Sequence, residues 1–255
     1  MKGLRRWYYN LFSRVYDGFI RLHSGDAEGL LRRFIVERIK PAEGEWTLDL
    51  CTGTGSVALE LARAVGVGGM SVGVDFSHGM LKKAQEKSRR SNSRNLHLVE
   101  GDASMLPFKD SCFKAVTCSH ALYELKGLDR ERTIEEVARV TREGGRFCLM
   151  EHGEPEGRMA KLFFNLRIRL LGSADAKHFF EEESDILRGH FQRITTEVAP
   201  TGKSKLMCGV RERHYENPGR CDRFPSPPGC QGEGNPRLRA LDSGSEQTVW
   251  TRLHL

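Results

Sequence analysis

No stretch of this chain approaches the roughly 18 consecutive apolar residues that a membrane-crossing helix requires, so no such helix is expected. The first residues also lack the uninterrupted apolar core and small-residue cleavage site of a secretory leader, which points to a cytoplasmic protein. The seven cysteines, at 51, 112, 118, 148, 208, 221 and 230, contain no CxxC pair. A zinc ribbon is therefore not expected, no metal site is assigned, and buried free thiols in a reducing compartment are the expectation. Lysines and arginines are dispersed and no aromatic stacking platform accompanies them, so nucleic acid is not an expected partner. The net charge of +6 leaves room for contact with an acidic lipid surface without requiring it. No internal repeat is visible.

What the chain does have is strand, glycine turn and helix in immediate succession. Thr47-Leu48-Asp49-Leu50 is the apolar end of a buried strand, Cys51-Thr52-Gly53-Thr54-Gly55 is a loop, and a helix opens near Ser56 and runs through Val57-Ala58-Leu59-Glu60-Leu61-Ala62. Glycines let a ligand approach the backbone, and the unpaired N–H groups of a helix start attract anions, so this is a nucleotide site. Gly53-x-Gly55-x-x-Ala58, with Asp75 following at about the expected interval of 20 residues, fits a dinucleotide fingerprint. Asp49 argues for a different ligand. A carboxylate just ahead of the loop repels a pyrophosphate but suits a cationic amine or sulfonium, as in S-adenosylmethionine (SAM).

From 46 to 151 strands and helices alternate, which implies an α/β, doubly wound, mostly parallel sheet. Strands are expected at 46–50, 71–75, 96–100, 113–119 and 146–151, and a terminal hairpin at 193–199 and 204–210. Helices are expected at 25–40, 56–65, 77–90 and 130–142, the last capped by Asp129 and stopped by Gly144-Gly145. Lys82, Lys83, Lys87, Arg89 and Arg90 read as the solvated side of helix 77–90.

Four segments together resemble the class I SAM-dependent methyltransferases. They are Leu48 to Gly55, Val72-Gly73-Val74-Asp75-Phe76-Ser77, Glu100-Gly101-Asp102-Ala103 with Leu106-Pro107-Phe108, and Arg139-Val140 running to Gly144-Gly145-Arg146. The set looks most like the branch containing the ubiquinone and menaquinone biosynthesis C-methyltransferases. That resemblance implies a Rossmann-like sheet of seven strands with an N-terminal helical lid (1–40), a SAM-binding domain (41–210) and a substrate insertion (155–190). It implies SAM as cofactor, with Asp49, Cys51, Thr52, Gly53 and Gly55 around its amino-acid end, Asp75 and Phe76 at the ribose, Asp102 and Ala103 at the adenine, and Ser119 in the wall. Where Lys114 stands, relatives commonly carry an aspartate.

His120 and Tyr123 follow the fourth strand, at the sheet end where an α/β fold places its chemistry. His120 is the candidate general base and Tyr123 a candidate for orienting substrate. Glu151 and His152 end the fifth strand and are expected either to touch substrate or to anchor a loop. The aromatic and arginine-rich residues 1–23 and the greasy, basic segment 155–175 each read as a lid or acyl-chain pocket, possible peripheral membrane contacts, or as plain packing. A small apolar or lipid-like acceptor follows: a quinone precursor or a phospholipid headgroup. The competing readings are an NAD(P)-dependent oxidoreductase and a non-catalytic SAM- or partner-binding module. From about Arg211 the character changes. Five of nine prolines and no lysine fall in 211–255, which reads as a disordered or non-native tail.

Overall fold

A computed structural model of the chain describes residues 29–125, 127–153, 183–212 and 239–240. Residues 1–28 of the expected lid (1–40), residues 155–182 of the expected insertion (155–190) and nearly all of the tail lie outside the described residues. In chain order the elements are α1 (Leu30–Ile39), β1 (Trp46–Leu50), α2 (Ser56–Val65), β2 (Met70–Asp75), α3 (His78–Arg90), β3 (Leu96–Glu100), β4 (Phe113–Ser119), a 3-10 turn (Leu122–Glu124), α4 (Leu128–Val140), β5 (Thr141–His152), β6 (Gln192–Val198), β7 (Ser204–Val210) and a two-residue β8 (Arg239–Ala240). A further helical stretch occupies 183–188.

The sheet order is β6-β7-β5-β4-β1-β2-β3-β8. β3, β2, β1, β4 and β5 are mutually parallel, and β7 inserts antiparallel between β5 and β6. The seven expected strands are all present. The eighth pairs Arg239 and Ala240 of the tail with Glu100 and Val99. A parallel sheet needs helices on both faces, and the apolar residues divide accordingly. Ile134, Val137 and Val140 of α4 join Val116, Phe147 and Leu149 on one face. Phe34, Ile35 and Ile39 of α1 cover Ala115, Cys148, Met150 and Leu206 on the other, while Ala58, Leu81 and Ala84 pack α2 and α3 over Leu96 and Leu98. Ile35 and Ile39 are wholly buried, and each contributes about 2–3 kcal/mol of apolar transfer energy.

Three expectations are corrected. Helix α4 starts at Leu128 with Gly127 (φ 48°) at its N-cap and no side-chain cap, so Asp129 sits in the first turn instead of capping it. The helix also ends at Val140, before the glycines. Gly144 (φ 66°) and Gly145 lie inside β5, where pairing with β4 slips between Phe113 and Ala115. They make a bulge, which needs a left-handed residue, and at Gly145 a Cβ would lie 2.6 Å from the Arg142 carbonyl. Finally, the thiols are not all free. Cys148 and Cys208 form a disulfide, because the β5–β7 register sets them directly opposite each other. Cys51, Cys112 and Cys118 are free.

The two loop glycines do different work, and substitution separates them. Gly55 (φ 74°) is pressed against α3, where a Cβ would meet the Ala84 Cβ at 2.7 Å; Gly53 (φ 54°) has nothing within 4 Å of that position. Gly55→Ala is expected to destabilise by about 2–4 kcal/mol, and Gly53→Ala by only about 1 kcal/mol, the left-handed cost alone. Urea unfolding of both variants checks this; equal losses would contradict it.

Candidate active site

Asp49 ends up beneath the loop. It is 1% exposed, it accepts Thr52 Oγ1 at 2.6 Å and Thr117 Oγ1 at 2.8 Å, and the Ala58 N–H also points to it. The carboxylate thus joins β1, β4, the loop and the first turn of α2. Asp75, at the end of β2, accepts Gly53 N–H at 2.9 Å and Ser77 N–H at 2.8 Å, with Phe76 N–H also directed at it. Ser77 is the cap of α3, its hydroxyl accepting Met80 N–H at 3.3 Å. Cys51 adopts φ 52° to turn the chain out of β1, and its thiol meets that of Cys118. Thr52 N–H returns to Val74 O at 2.9 Å.

The next loop leaves β3. Asp102 accepts the Ser104 N–H at 3.0 Å and the Ser104 hydroxyl at 2.7 Å, forming a tight turn with Ala103 at its centre. Arg139 of α4 holds the rest of this loop, donating to Phe108 O at 2.6 Å and Leu106 O at 3.1 Å, while Glu136 accepts Leu106 N–H at 2.6 Å. Two segments that carried the family resemblance, Leu106-Pro107-Phe108 and Arg139-Val140, are therefore two halves of one brace.

At the end of β4, Ser119 pairs with Met150 and His120 turns at φ 52° with its N–H on Met150 O at 2.7 Å. The His120 Nε2 lies 2.9 Å from Ser204 Oγ on β7. The His152 ring stands 4.7 Å from that of His120 and 5.3 Å from that of Tyr123. Glu151 resolves to a loop anchor. It is fully buried and accepts Leu122 N–H at 2.9 Å, and Arg130 grips the same turn from the other side through Leu122 O at 3.2 Å and Leu125 O at 2.5 Å. Ser204, Arg130 and Thr117 went unnoticed in the sequence, since neither strand register nor loop closure is written in local spacing. Lys87 departs from the solvated side of the helix expected for it. It continues the Met80-Ala84 stripe of α3 and donates to Thr54 Oγ1 at 2.7 Å and Ser56 Oγ at 2.9 Å.

Burial, opposed by these hydrogen bonds, raises Asp49 to a pKa of about 6, and burial does the same for Asp75. Burial pushes Glu151 to about 8. Adjacent like charges add to each: Asp75 acts on Asp49, and Glu124 acts on Asp75 and Glu151. Such a cluster suits a cation. On the side where a Cβ would stand, the backbone at Gly53 is open, with no atom within 4 Å. The residues thus fit SAM, whose sulfonium and amine are positive. A cleft of about 990 Å³ lies elsewhere, at the amino-terminal edge of β1 and β4 between Glu43, Trp46, Lys109 and Arg142, and it contains none of these groups. Among the described residues no group of acidic, histidine or cysteine side chains has the makings of a metal site, and no helix is long and apolar enough to cross a membrane.

A raised carboxyl releases its proton in the unfolded chain first, so stability falls as pH rises from about 4 to about 6 for Asp49 and Asp75, and on toward 8 for Glu151. A shift of about two units costs the ionised folded state about 3 kcal/mol per group. A bound cation offsets that cost only where the acids are ionised. The gain in Tm on adding SAM should therefore be larger at pH 7.5 than at pH 5, as thermal melts would show; equal gains would contradict the electrostatic account.

Comparison with known proteins identifies the family. Residues 8–176 match the model of the ubiE/COQ5 methyltransferase family. A demethylmenaquinone methyltransferase of Desulfitobacterium hafniense is 31% identical over 218 residues, which is 82% of this chain and 83% of the relative. Another, from Staphylococcus haemolyticus, is 32% identical over 67% of this chain and 72% of its own length. Among solved structures, a putative methyltransferase in complex with the Trm112 activator of Haloferax volcanii shares the fold at TM-score 0.63, with 18% identity over 80% of this chain and 98% of that one. A Haemonchus contortus phosphoethanolamine N-methyltransferase bound to S-adenosylhomocysteine gives TM-score 0.57, with 16% identity over 72% of this chain and 52% of its own. The oxidoreductase reading is not favoured by these relatives. The protein is a SAM-dependent methyltransferase, and the chain belongs to the ubiE/COQ5 methyltransferase family.

Proposed function

We propose that this enzyme methylates a ring carbon of a quinol carrying an apolar tail, of the demethylmenaquinol class. The observation that carries this reading is the group of rings His120, His152 and Tyr123 at the ends of β4 and β5, beside the glycine loop. A His152 ring with His120 at 4.7 Å and Tyr123 at 5.3 Å suits a flat aromatic acceptor better than a phospholipid amine. The names of the related demethylmenaquinone methyltransferases support the same class.

When bound, SAM supplies a methyl group already activated on a positive sulfur, so the protein's task is alignment, desolvation and one proton transfer. In this reading Asp49 and the loop through Cys51, Thr52, Gly53 and Gly55 receive the amino-acid end. Asp75 keeps its backbone contacts and has lone pairs left for the ribose hydroxyls; Phe76 lies next to it. Asp102 and Ala103 meet the adenine, and Ser119 borders the reacting end. His120 would take the proton from the quinol hydroxyl, so that the electron pair left on oxygen delocalises to the adjacent ring carbon; as that carbon bonded to the methyl group the methyl–sulfur bond would break, S-adenosylhomocysteine would leave, and the ring-carbon proton would return to the oxygen to restore the aromatic quinol. Tyr123 and His152 hold the ring plane, and Glu151 with Arg130 fixes the turn that presents Tyr123. The segment 1–40 serves as a lid and 155–190 as the site for the acceptor's tail, with peripheral contact to the membrane that dissolves it; 211–255 contributes no catalytic group.

Purified enzyme incubated with methyl-labelled SAM and a membrane lipid extract should place label in the quinone fraction. Label confined to phospholipid headgroups, protein or RNA would overturn the acceptor class. His120→Ala should lower kcat about 10²–10³-fold with little change in the KM for SAM. An unchanged kcat would remove His120 from the chemistry.

A further inference from the structure

We propose that Lys87 is a positioning residue for the cofactor loop, fixing the loop's shape from the side opposite the ligand. The inference rests on the placement of SAM at Asp49–Gly55. The cap position of α2 is Gly55, which has no side chain, and no side-chain hydrogen bond caps that helix. The conformation of the loop is therefore not secured by the usual local device. Its back surface instead sits on α3, with Gly55 against Ala84. One turn further along α3, the Lys87 ammonium donates to Thr54 Oγ1 at 2.7 Å and to Ser56 Oγ at 2.9 Å, straddling Gly55. Thr54 is 3% exposed, so its hydroxyl is committed to the protein interior and not to solvent.

Electrostatics alone does not account for this placement. A cation beside the start of α2 faces the positive end of that helix, which is unfavourable. Lys87 also belongs to the last turn of α3, where a cation is favoured, so the two effects oppose each other. What the contact does accomplish is geometric. It holds the residues on both sides of Gly55 in one arrangement, leaving the Gly53 backbone open and the Gly53 N–H on Asp75. A loop held in its binding conformation before the ligand arrives spends less affinity on ordering. Lys87 lies on the far side of the loop from the β4–β5 rings, so its loss should act on SAM binding and not on the transfer step.

Three variants test this. Lys87→Met keeps the aliphatic stem and removes the donors, Lys87→Arg keeps donors of both hydroxyls, and Lys82→Met removes an exposed charge from the same helix as a control. SAM dissociation constants from calorimetry, kcat at saturating SAM and the melting temperature of the ligand-free protein are measured for each. Lys87→Met should weaken SAM about tenfold while kcat at saturation stays within about twofold and the ligand-free melting temperature within about 3 °C; Lys87→Arg should recover most of the affinity, and Lys82→Met should resemble the wild type. Unchanged SAM affinity in Lys87→Met, or equal losses in the Met and Arg variants, would overturn the role given to Lys87 while leaving the cofactor site intact. Failure of the wild-type protein to bind SAM would overturn the placement of the cofactor itself, and with it this inference.

Discussion

Two carboxylates, Asp49 and Asp75, are held out of water at the carboxyl ends of adjacent parallel strands, and the site is organised by what that costs. Each is tied down by one hydrogen bond from the glycine loop and one from a neighbouring element: Thr52 and the β4 residue Thr117 to Asp49, Gly53 and the α3 cap Ser77 to Asp75. These bonds favour the ionised forms, yet burial outweighs them and leaves both acids near pKa 6. The loop's geometry and its charge are therefore one problem with one solution. The carboxylates that shape the glycine turn also make its surroundings negative, and a ligand bearing positive charge completes the arrangement. The same negative surroundings disfavour a pyrophosphate, so the glycine spacing shared with dinucleotide sites does not bring dinucleotide chemistry with it.

The remainder of the fold serves to bring strand ends together. Parallel order 3-2-1-4-5 puts Asp49, Asp75, Asp102, Ser119 and Glu151 along one edge of the sheet although they are spread over about 100 residues of sequence. Loops are then braced from the helices behind them. Arg139 and Glu136 hold the loop after β3, Arg130 and Glu151 hold the turn after β4, and Lys87 holds the loop after β1. In each case a long side chain from a helix, or a buried acid from a strand, occupies backbone or hydroxyl groups that would otherwise be left unsatisfied in the interior.

Much of this was legible in the sequence, for a physical reason. Strands β1 to β4 are buried on both faces, so they appear as short apolar runs bounded by turn residues, and β1, β3, β4 and β7 fall where those runs lie. Asp49, Asp75 and the glycines follow from the strand–turn–helix order. The ends of α4 were not legible, because Gly144 and Gly145 break helices and build strand bulges equally well, and only pairing with β4 decides between them. The Cys148–Cys208 bond and the His120–Ser204 contact depend on the β5–β7 register and join residues 60 and 84 apart in sequence. Lys87 was legible and overlooked. Positions 80, 84 and 87 fall on one helical stripe, and a lysine's charge points to solvent while its spacing points to the part-buried place it takes.

The most direct measurement of the central claim compares SAM with S-adenosylhomocysteine, which differs by the methyl group and the sulfonium charge, in calorimetric titrations from pH 5 to pH 8. If buried acids with pKa values of about 6 recognise the positive sulfur, the ratio of SAM affinity to S-adenosylhomocysteine affinity rises with pH through that range and then levels off. A ratio that stays flat across the range would mean that the carboxylates shape the loop without sensing the charge of the donor.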